Sequence, residues 1–489
     1  RVAVHRMKLP FAFAVPTVWV GLEFLRGFLM TGFPWYFLAH SQYRWTSLIQ
    51  IADLTGTYGV SFLLAGTAAV ITALLPEELF HRLKMLTKNV GPTTSQPQPA
   101  LLATPSRPNW MVLVQLGLFA LVLGYGYFRL SETEFQPGPR VALVQGNFTS
   151  SLKHDPREFQ QIFEMHYFLT GQSVQYQPDL IVWPETMYRY PLMTAEAGLT
   201  EDDLVRLAPM VPPDRWNHPE VTESLEKLSE QSGAAMVIGV DSRRVDHSGM
   251  HVYNSAVCMT PTGGIKGSYD KNHRVVFGEY VPFQEQLMGK NSESLATGAM
   301  GLSAGDGPYI FNYKEWNFAP IICYEDTVPT LVRDFVKEGA DNDQPVDCLV
   351  NLTNDGWFHG SSELEQHLIT ASFRCVETRT PMVRAVNTGI SAIIDSQGVI
   401  RSNPEVFQTV ELENGKVQSE LHDSIVNPKT GHLFKQVNAI LIDQVPLDNR
   451  TSPYLYYGDW FAGLCLVLVL VSLIVACWPQ RKLVAVPAK

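Results

Sequence analysis

Apolar residues along this chain fall into two kinds of run. Long uncharged runs lie towards both ends, and shorter ones recur between them, separated by helical patterns. The clearest long run is Trp460 to Trp478, 19 residues without charge and with a Trp at each end. Trp110 to Phe128 has the same length and is equally uncharged. Both approach the roughly 20 residues that cross a hydrocarbon core, and terminal tryptophans suit its interface. Two earlier runs carry charge. The stretch 10–30 holds Glu23 and Arg26, and 46–75 holds Asp53 ahead of an apolar segment. Charges at membrane depth face other helices or wet cavities. Glu23 and Arg26, three apart on one helical face, are expected to form a structural ion pair.

The pattern predicts a membrane region over 1–130 with helices at about 10–30, 46–75 and 110–128. An extramembrane domain follows over 131–459, then a last helix over 460–478 and a tail over 479–489. Inside the large domain, strand-like runs recur at 141–147, 179–185, 234–241, 253–260, 317–325, 347–355 and 391–400. Several are almost continuously apolar, as strands covered on both faces should be. Helical patterns fall at 157–173, 221–233 and 366–379. Gly263-Gly264 fits a hairpin turn. The alternation predicts an α/β domain of layered sheets with helices outside. Residues 186–220 read as a long irregular insertion, and 91–108, rich in Pro and Ser, as a loop.

Charge sets the orientation and removes some partners. Charged residues are 17% of the chain and hydrophobic ones 46%. A net charge of -11, with no basic patch, argues against nucleic acid. Lys and Arg gather before the first helix (Arg1, Arg6, Lys8), between the second and third (Arg82, Lys84, Lys88, Arg107) and after the last (Arg481, Lys482, Lys489). The positive-inside rule puts these on the cytoplasmic side and 131–459 on the other. The six cysteines show no CxxC or paired spacing, so no disulfide framework and no zinc site is predicted. His273 and His367 lack metal-binding spacing, and neither metal nor cofactor is called for. The chain begins at Arg1 rather than Met, which suggests an N-terminal truncation.

Three strand-like runs end in reactive groups: Glu185 after DLIVWP, Lys271 after IKGSYD, and Cys323 in FAPIICYED. Each alone has an ordinary explanation: a solvated strand-end carboxylate, a surface lysine, a core cysteine. Together a carboxylate, an ammonium and a thiol are the parts of a nucleophilic acyl-transfer site. Cys258, Cys348 and Cys375 lack acidic neighbours and read as core. Phe277, Tyr280, Phe283, Trp357 and Phe358 read either as core aromatics or as the lining of an apolar mouth.

With WPET, YDKNHRVVFGEYVPF and IICYE in the order Glu…Lys…Cys, the chain resembles the carbon–nitrogen hydrolase (nitrilase) superfamily. NDGWF (354–358), His367, and Arg384, Asn387, Gly389, Ser391 and Ala392 resemble its membrane branch, the bacterial apolipoprotein N-acyltransferases. GFPWYFLAHSQY and ADLTGTYGVSFL add to this. The resemblance implies a nitrilase-like αββα sandwich inserted between transmembrane helices of the bacterial inner membrane, outside the cytoplasm. It implies transfer of an acyl chain from a phospholipid to the N-terminal amine of a diacylglyceryl-cysteine lipoprotein. Glu185 would be the base, Lys271 the oxyanion stabiliser and Cys323 the nucleophile, with Glu279, Glu325 and Tyr324 in support. Trp183, Phe277, Trp357 and Phe358 are candidates for substrate contact. Family members have more helices, which here would precede Arg1. A membrane-tethered amidase or nitrilase acting on small amides is the alternative.

Overall fold

The computed structural model describes residues 2–29, 32–83, 109–132, 134–153, 155–282, 301–358, 360–411 and 417–477. The predicted loop 91–108, the tail 479–489, Phe283 and the basic residues Arg1, Lys84, Lys88 and Arg107 lie outside the described residues. The chain divides into a helical unit (1–42, 47–129 and 459–489) and an α/β unit (43–46 and 130–458).

In the helical unit, three described helices are long and apolar enough to cross a membrane: Thr57–Leu74, Trp110–Ser131 and Trp460–Cys477. Two expectations need correcting. The first predicted span is a 16-residue helix, Phe11–Arg26. The second, 46–75, breaks into Thr46–Ile49, Ala52–Thr55 and Thr57–Leu74. Gly56 sits at the last break with φ +65, which its missing Cβ allows at little cost. Glu23 and Arg26 do not pair. Glu23 Oε1 accepts from Trp19 Nε1 (3.0 Å) and Leu38 N (2.9 Å). Arg26 donates to Trp35 O and lies over the Phe37 ring. Both tie the helix to the segment 35–38 that follows it. Asp53, fully buried, does find a cation, Arg129 at 2.8 Å, and accepts from the Tyr125 hydroxyl at 2.6 Å.

The described residues of the α/β unit form thirteen strands. They are β1 (Gln136–Gln145), β2 (Leu180–Ala195), β3 (Ala235–Asp246), β4 (Gly249–Thr260), β5 (Gly264–Asp270), β6 (Phe311–Tyr313) and β7 (Trp316–Ile322). Then follow β8 (Cys348–Thr353), β9 (Met382–Val386), β10 (Ala392–Ile394), β11 (Glu405–Glu411), β12 (Val417–His422) and β13 (Ala439–Leu447). One sheet has the order β12-β11-β13-β1-β2-β3-β4-β5, the other β10-β9-β8-β7-β6. The pairs β1/β2, β2/β3, β7/β8 and β8/β9 are parallel.

The side-chain period of two explains the layering. On β1 and β2, Val141, Leu143, Leu180 and Val182 point into one core with Ile321, Val350 and Val383 of the second sheet. Their alternates Ala142, Val144, Ile181 and Trp183 meet Leu169, Leu225 and Leu228 in another core. Leu169 belongs to the helix Phe159–Val174, and the other two to Pro219–Ser232. Helices Pro329–Asp341 and Glu363–Thr378 supply Val332, Phe335, Leu368 and Cys375 to the first cluster, against the smaller sheet. This is an α–β–β–α sandwich. Strands read as continuous apolar runs are those with a packed layer on each face.

The predicted insertion at 186–220 is mostly regular. β2 continues through Ala195, and helix Glu201–Leu207 follows, with Trp216 packed against Leu204 and Val245. The run 391–400 is a short hairpin in which Ala392–Ile394 pairs β9 and Ile394 bridges to Ile400.

Candidate active site

Each of the three reactive groups lies at a strand end or a strand irregularity. Cys323 follows β7 and opens a 3-10 turn, Cys323–Thr327, with φ +54. That left-handed conformation is uncommon for a non-glycine residue and is found where surrounding contacts impose it. Those contacts are visible. Asn351 Nδ2 donates to Cys323 O at 3.1 Å, and Glu325 Oε2 accepts from Ile322 N at 2.7 Å. The other Glu325 oxygen accepts from Tyr269 Oη and from the amides of Asn272 and His273. Glu325 therefore fastens the Cys323 turn to the segment that carries Lys271. Burial raises its carboxyl to about 7 against the pull of Lys271 and the donated hydrogen bonds.

Glu185 lies where β2 and β3 lose register between Trp183 and Tyr188, and Thr186 beside it has φ +51. A bulge of this kind re-aims a side chain. Gly239 on β3 makes room for it: a Cβ there would stand 2.3 Å from Pro184 O and 2.7 Å from Glu185 Cα. Asn254 Nδ2 on β4 donates to Glu185 Oε1 at 2.6 Å.

Lys271 follows β5 and is 1% exposed. Its Nζ lies 2.6 Å from Glu279 Oε1 and 3.8 Å from Glu185 Oε1. Burial opposes its charge, but Glu279, Cys323 and Glu185 together outweigh burial and raise its pKa, so it is an ammonium. For Cys323, burial first and then Glu185 push the thiol up, against the opposing effect of Lys271. The resting group is the neutral thiol. Desolvation of the anion is a larger effect than the ammonium beside it.

The structure brings Glu185, Lys271, Cys323, Glu279 and Glu325 together and separates the aromatic candidates. Trp183 is a correction: fully buried, it donates to Thr170 Oγ1 at 2.8 Å and packs under the helix Phe159–Val174, a core role rather than a substrate contact. Phe277 (61% exposed, φ +61) and Trp357 (59%) stand out from the surface, whereas Phe358 is half-buried against the core. Tyr324 is buried and stacks on His273. Cys258, Cys348 and Cys375 are buried core thiols. Sequence reasoning missed Asn254, Asn351 and Lys153. Lys153 is buried in a short helix, its pKa lowered by burial against the fields of Glu185, Asp241 and Cys323. Nothing in the polar run SSLKHDP distinguishes it from a surface lysine.

Two sheets that bring together a Glu from a strand irregularity and a Lys and a Cys from strand ends define a class. The model of the carbon-nitrogen hydrolase family matches residues 140–412, and that of the apolipoprotein N-acyltransferase N-terminal domain matches residues 1–70. A protein of Geobacter metallireducens named apolipoprotein N-acyltransferase is 34% identical, over 86% of this chain and 70% of its own length. One of Rhizobium meliloti with the same name is 30% identical, over 77% of this chain and 62% of its own length. The chain thus belongs to the apolipoprotein N-acyltransferase family of the carbon–nitrogen hydrolases. Among solved structures it is similar to XC1258 of Xanthomonas campestris, a CN-hydrolase superfamily protein, at 20% identity and TM-score 0.36, over 58% of this chain and 91% of that one.

Proposed function

We propose that this chain is the acyl-transferring part of a phospholipid:apolipoprotein N-acyltransferase of the bacterial inner membrane. It moves a fatty acyl chain through a thioester on Cys323 to the N-terminal amine of an S-diacylglyceryl-cysteine lipoprotein. The observation that carries this is the convergence of buried Glu185 and Lys271 with partly exposed Cys323 in one site. The names of the relatives favour acyl transfer over hydrolysis of small amides.

The neutral resting thiol sets the order of events. Glu185, oriented by Asn254, takes the Cys323 proton as sulfur attacks the ester carbonyl of the phospholipid. The S–C bond forms, and the carbonyl oxygen becomes an oxyanion facing the Lys271 ammonium. One such donor is worth about 3 kcal/mol of barrier. Collapse breaks the ester C–O bond, and Glu185 gives its proton to the departing lysophospholipid oxygen. In the second half the lipoprotein amine attacks the thioester and Glu185 accepts a proton from nitrogen. The amide forms as the C–S bond breaks, and the proton returns to Cys323. Glu279 holds Lys271 in place. Exposed Phe277 and Trp357, with Phe358 beside Trp357, offer apolar contact for acyl chains.

Residues 131–459 lie outside the cytoplasm in this reading, supported by the Lys/Arg distribution. An engineered thiol in that domain is then labelled by an impermeant reagent in intact spheroplasts, and labelling only after lysis refutes it. The function itself is tested with purified protein, phospholipid labelled in its acyl chain and a synthetic diacylglyceryl-cysteine peptide. The label moves to the peptide amine. Release of free fatty acid without labelled peptide would instead favour a hydrolase.

A further inference from the structure

His367 is fully buried and the mechanism does not use it. Its Nε2 lies 2.8 Å from Asp326 Oδ1 and its Nδ1 2.8 Å from Asp355 Oδ1. An ionised carboxylate only accepts hydrogen bonds, so both ring nitrogens must carry hydrogen and the ring is an imidazolium. Arg384 Nε on β9 lies 3.2 Å from Asp326 Oδ2, and its Nη2 3.9 Å from Asp355 Oδ2. Two cations and two anions, each at most 1% exposed, thus form a neutral cluster.

This cluster closes a ring on the nucleophile. Asn351 Nδ2 donates to Cys323 O, and Arg384 Nε makes a long 3.5 Å contact to Asn351 Oδ1. Arg384 meets Asp326, which is three residues after Cys323, and Asp326 meets His367. His367 meets Asp355, which accepts from Thr353 Oγ1 at 3.2 Å. Thr353 also acts on the Cys323 thiol, favouring its ionisation. The path leaves the backbone of Cys323 and returns to its side chain, crossing the turns after β7 and β8. His367 and Arg384 both bridge those two turns, and His367 does so by the two shorter contacts, 2.8 Å each.

We propose that His367 is a positioning residue for the nucleophile: its imidazolium clamps the turns after β7 and β8 together and neutralises Asp355, whose charge would otherwise oppose ionisation of the Cys323 thiol. The charged groups that act on that thiol are Glu185 and Asp355, which oppose its ionisation, and Lys271, which favours it; Lys153 interacts with it as well. Those that act on His367 are Asp326, Asp355 and Arg384. Of these, Asp355 acts on both, so the charge on His367 reaches the thiol through Asp355.

The meaning of this inference rests on Cys323 being the nucleophile, but its test reads the thiol itself, so the two can fail separately. The rate of Cys323 alkylation by iodoacetamide is followed against pH in the full detergent-solubilised chain, quantified on the Cys323 peptide by mass spectrometry. His367→Gln removes the cation, and the profile moves to higher pH, at least about tenfold slower at pH 8, the equivalent of one pKa unit. Asp355→Asn removes the opposing anion, and the profile moves to lower pH. The double variant returns towards the wild-type curve. A packing lesion would move both single variants the same way, and that result, or an unmoved midpoint in His367→Gln, overturns the proposal. If the variants do not fold, the wild-type curve decides. It rises less steeply above pH 9 than a single titration, because loss of the His367 proton suppresses the thiolate. A simple one-group curve through pH 9 overturns it equally.

Discussion

The Lys271 ammonium lies 2.6 Å from Glu279 Oε1 and 3.8 Å from Glu185 Oε1, so Glu279 is its ion-pair partner and Glu185 stands one step away. Two carboxylates share the neighbourhood of one cation, and the spacing separates their duties. Glu279 Oε2 also accepts from Val275 N at 2.7 Å, which pins its own loop. Glu185 is held by Asn254, a neutral donor. Lys271→Met therefore folds, since Glu279 keeps its backbone partner, yet slows acylation of Cys323 by at least about 100-fold, the usual scale for one oxyanion donor. Single-turnover kinetics with phospholipid measure this. Near-normal acylation would leave Lys271 a merely structural lysine.

Glu185→Gln separates one shared base from two. Gln keeps the size and hydrogen bonding but takes no proton at neutral pH. Both half-reactions are expected to slow by about 100-fold or more, the scale of general-base catalysis. Adduct formation is followed with phospholipid alone, and amine acylation from Cys323 preloaded by an activated thioester. Failure of the first with a normal second would assign the second proton transfer to Glu279 or Glu325.

Gly239 tests the bulge. Gly239→Ala drives a Cβ into Pro184 O, Thr186 N and Glu185 Cα, all within 2.7 Å. The chain loses about 1–3 kcal/mol of stability, as overpacking does. Acylation falls more than tenfold, because Glu185 moves. Loss of stability with the rate intact would show that the base does not depend on this bulge.

How far the sequence revealed the molecule depends on the element. The inner strands were legible because Val141–Val144 and Leu180–Trp183 are apolar on both faces, and both faces are covered. β11 and β12, at one edge of the large sheet, carry polar residues such as Gln408, Thr409, Gln418 and Glu420 and gave no such signal. Lys271 and Cys323 were legible as strand ends, whereas Glu185, read the same way, lies at an irregularity inside β2. Trp183 was misread because its neighbour Glu185 lies in the site. The bulge that turns Glu185 leaves Trp183 facing the helix, and a sequence does not show a bulge. Asn254 and Asn351 were invisible for the same reason: their function is a distance across strands.

His367 also predicts a pH dependence of stability. Burial pulls its pKa down, but Asp326 and Asp355 outweigh burial and raise it from 6.5 to about 9. The folded chain therefore keeps a proton that the unfolded chain releases. Its stabilisation is complete below pH 6.5 and is lost as pH rises through 9. The difference in melting temperature between wild type and His367→Gln is constant at acid pH and shrinks between pH 6.5 and 10. A difference that does not change over that range would mean His367 is neutral in the fold.

Intact-mass analysis of the purified chain mixed with phospholipid reads the chemistry most directly. A fatty-acyl adduct appears, maps to the Cys323 peptide, is removed by hydroxylamine as a thioester should be, and disappears when the lipoprotein peptide is added. Cys323→Ser forms no such thioester, whereas Cys258→Ser and Cys375→Ser form it normally. An adduct on another residue, or turnover of phospholipid by Cys323→Ser at the wild-type rate, would contradict a thioester at Cys323.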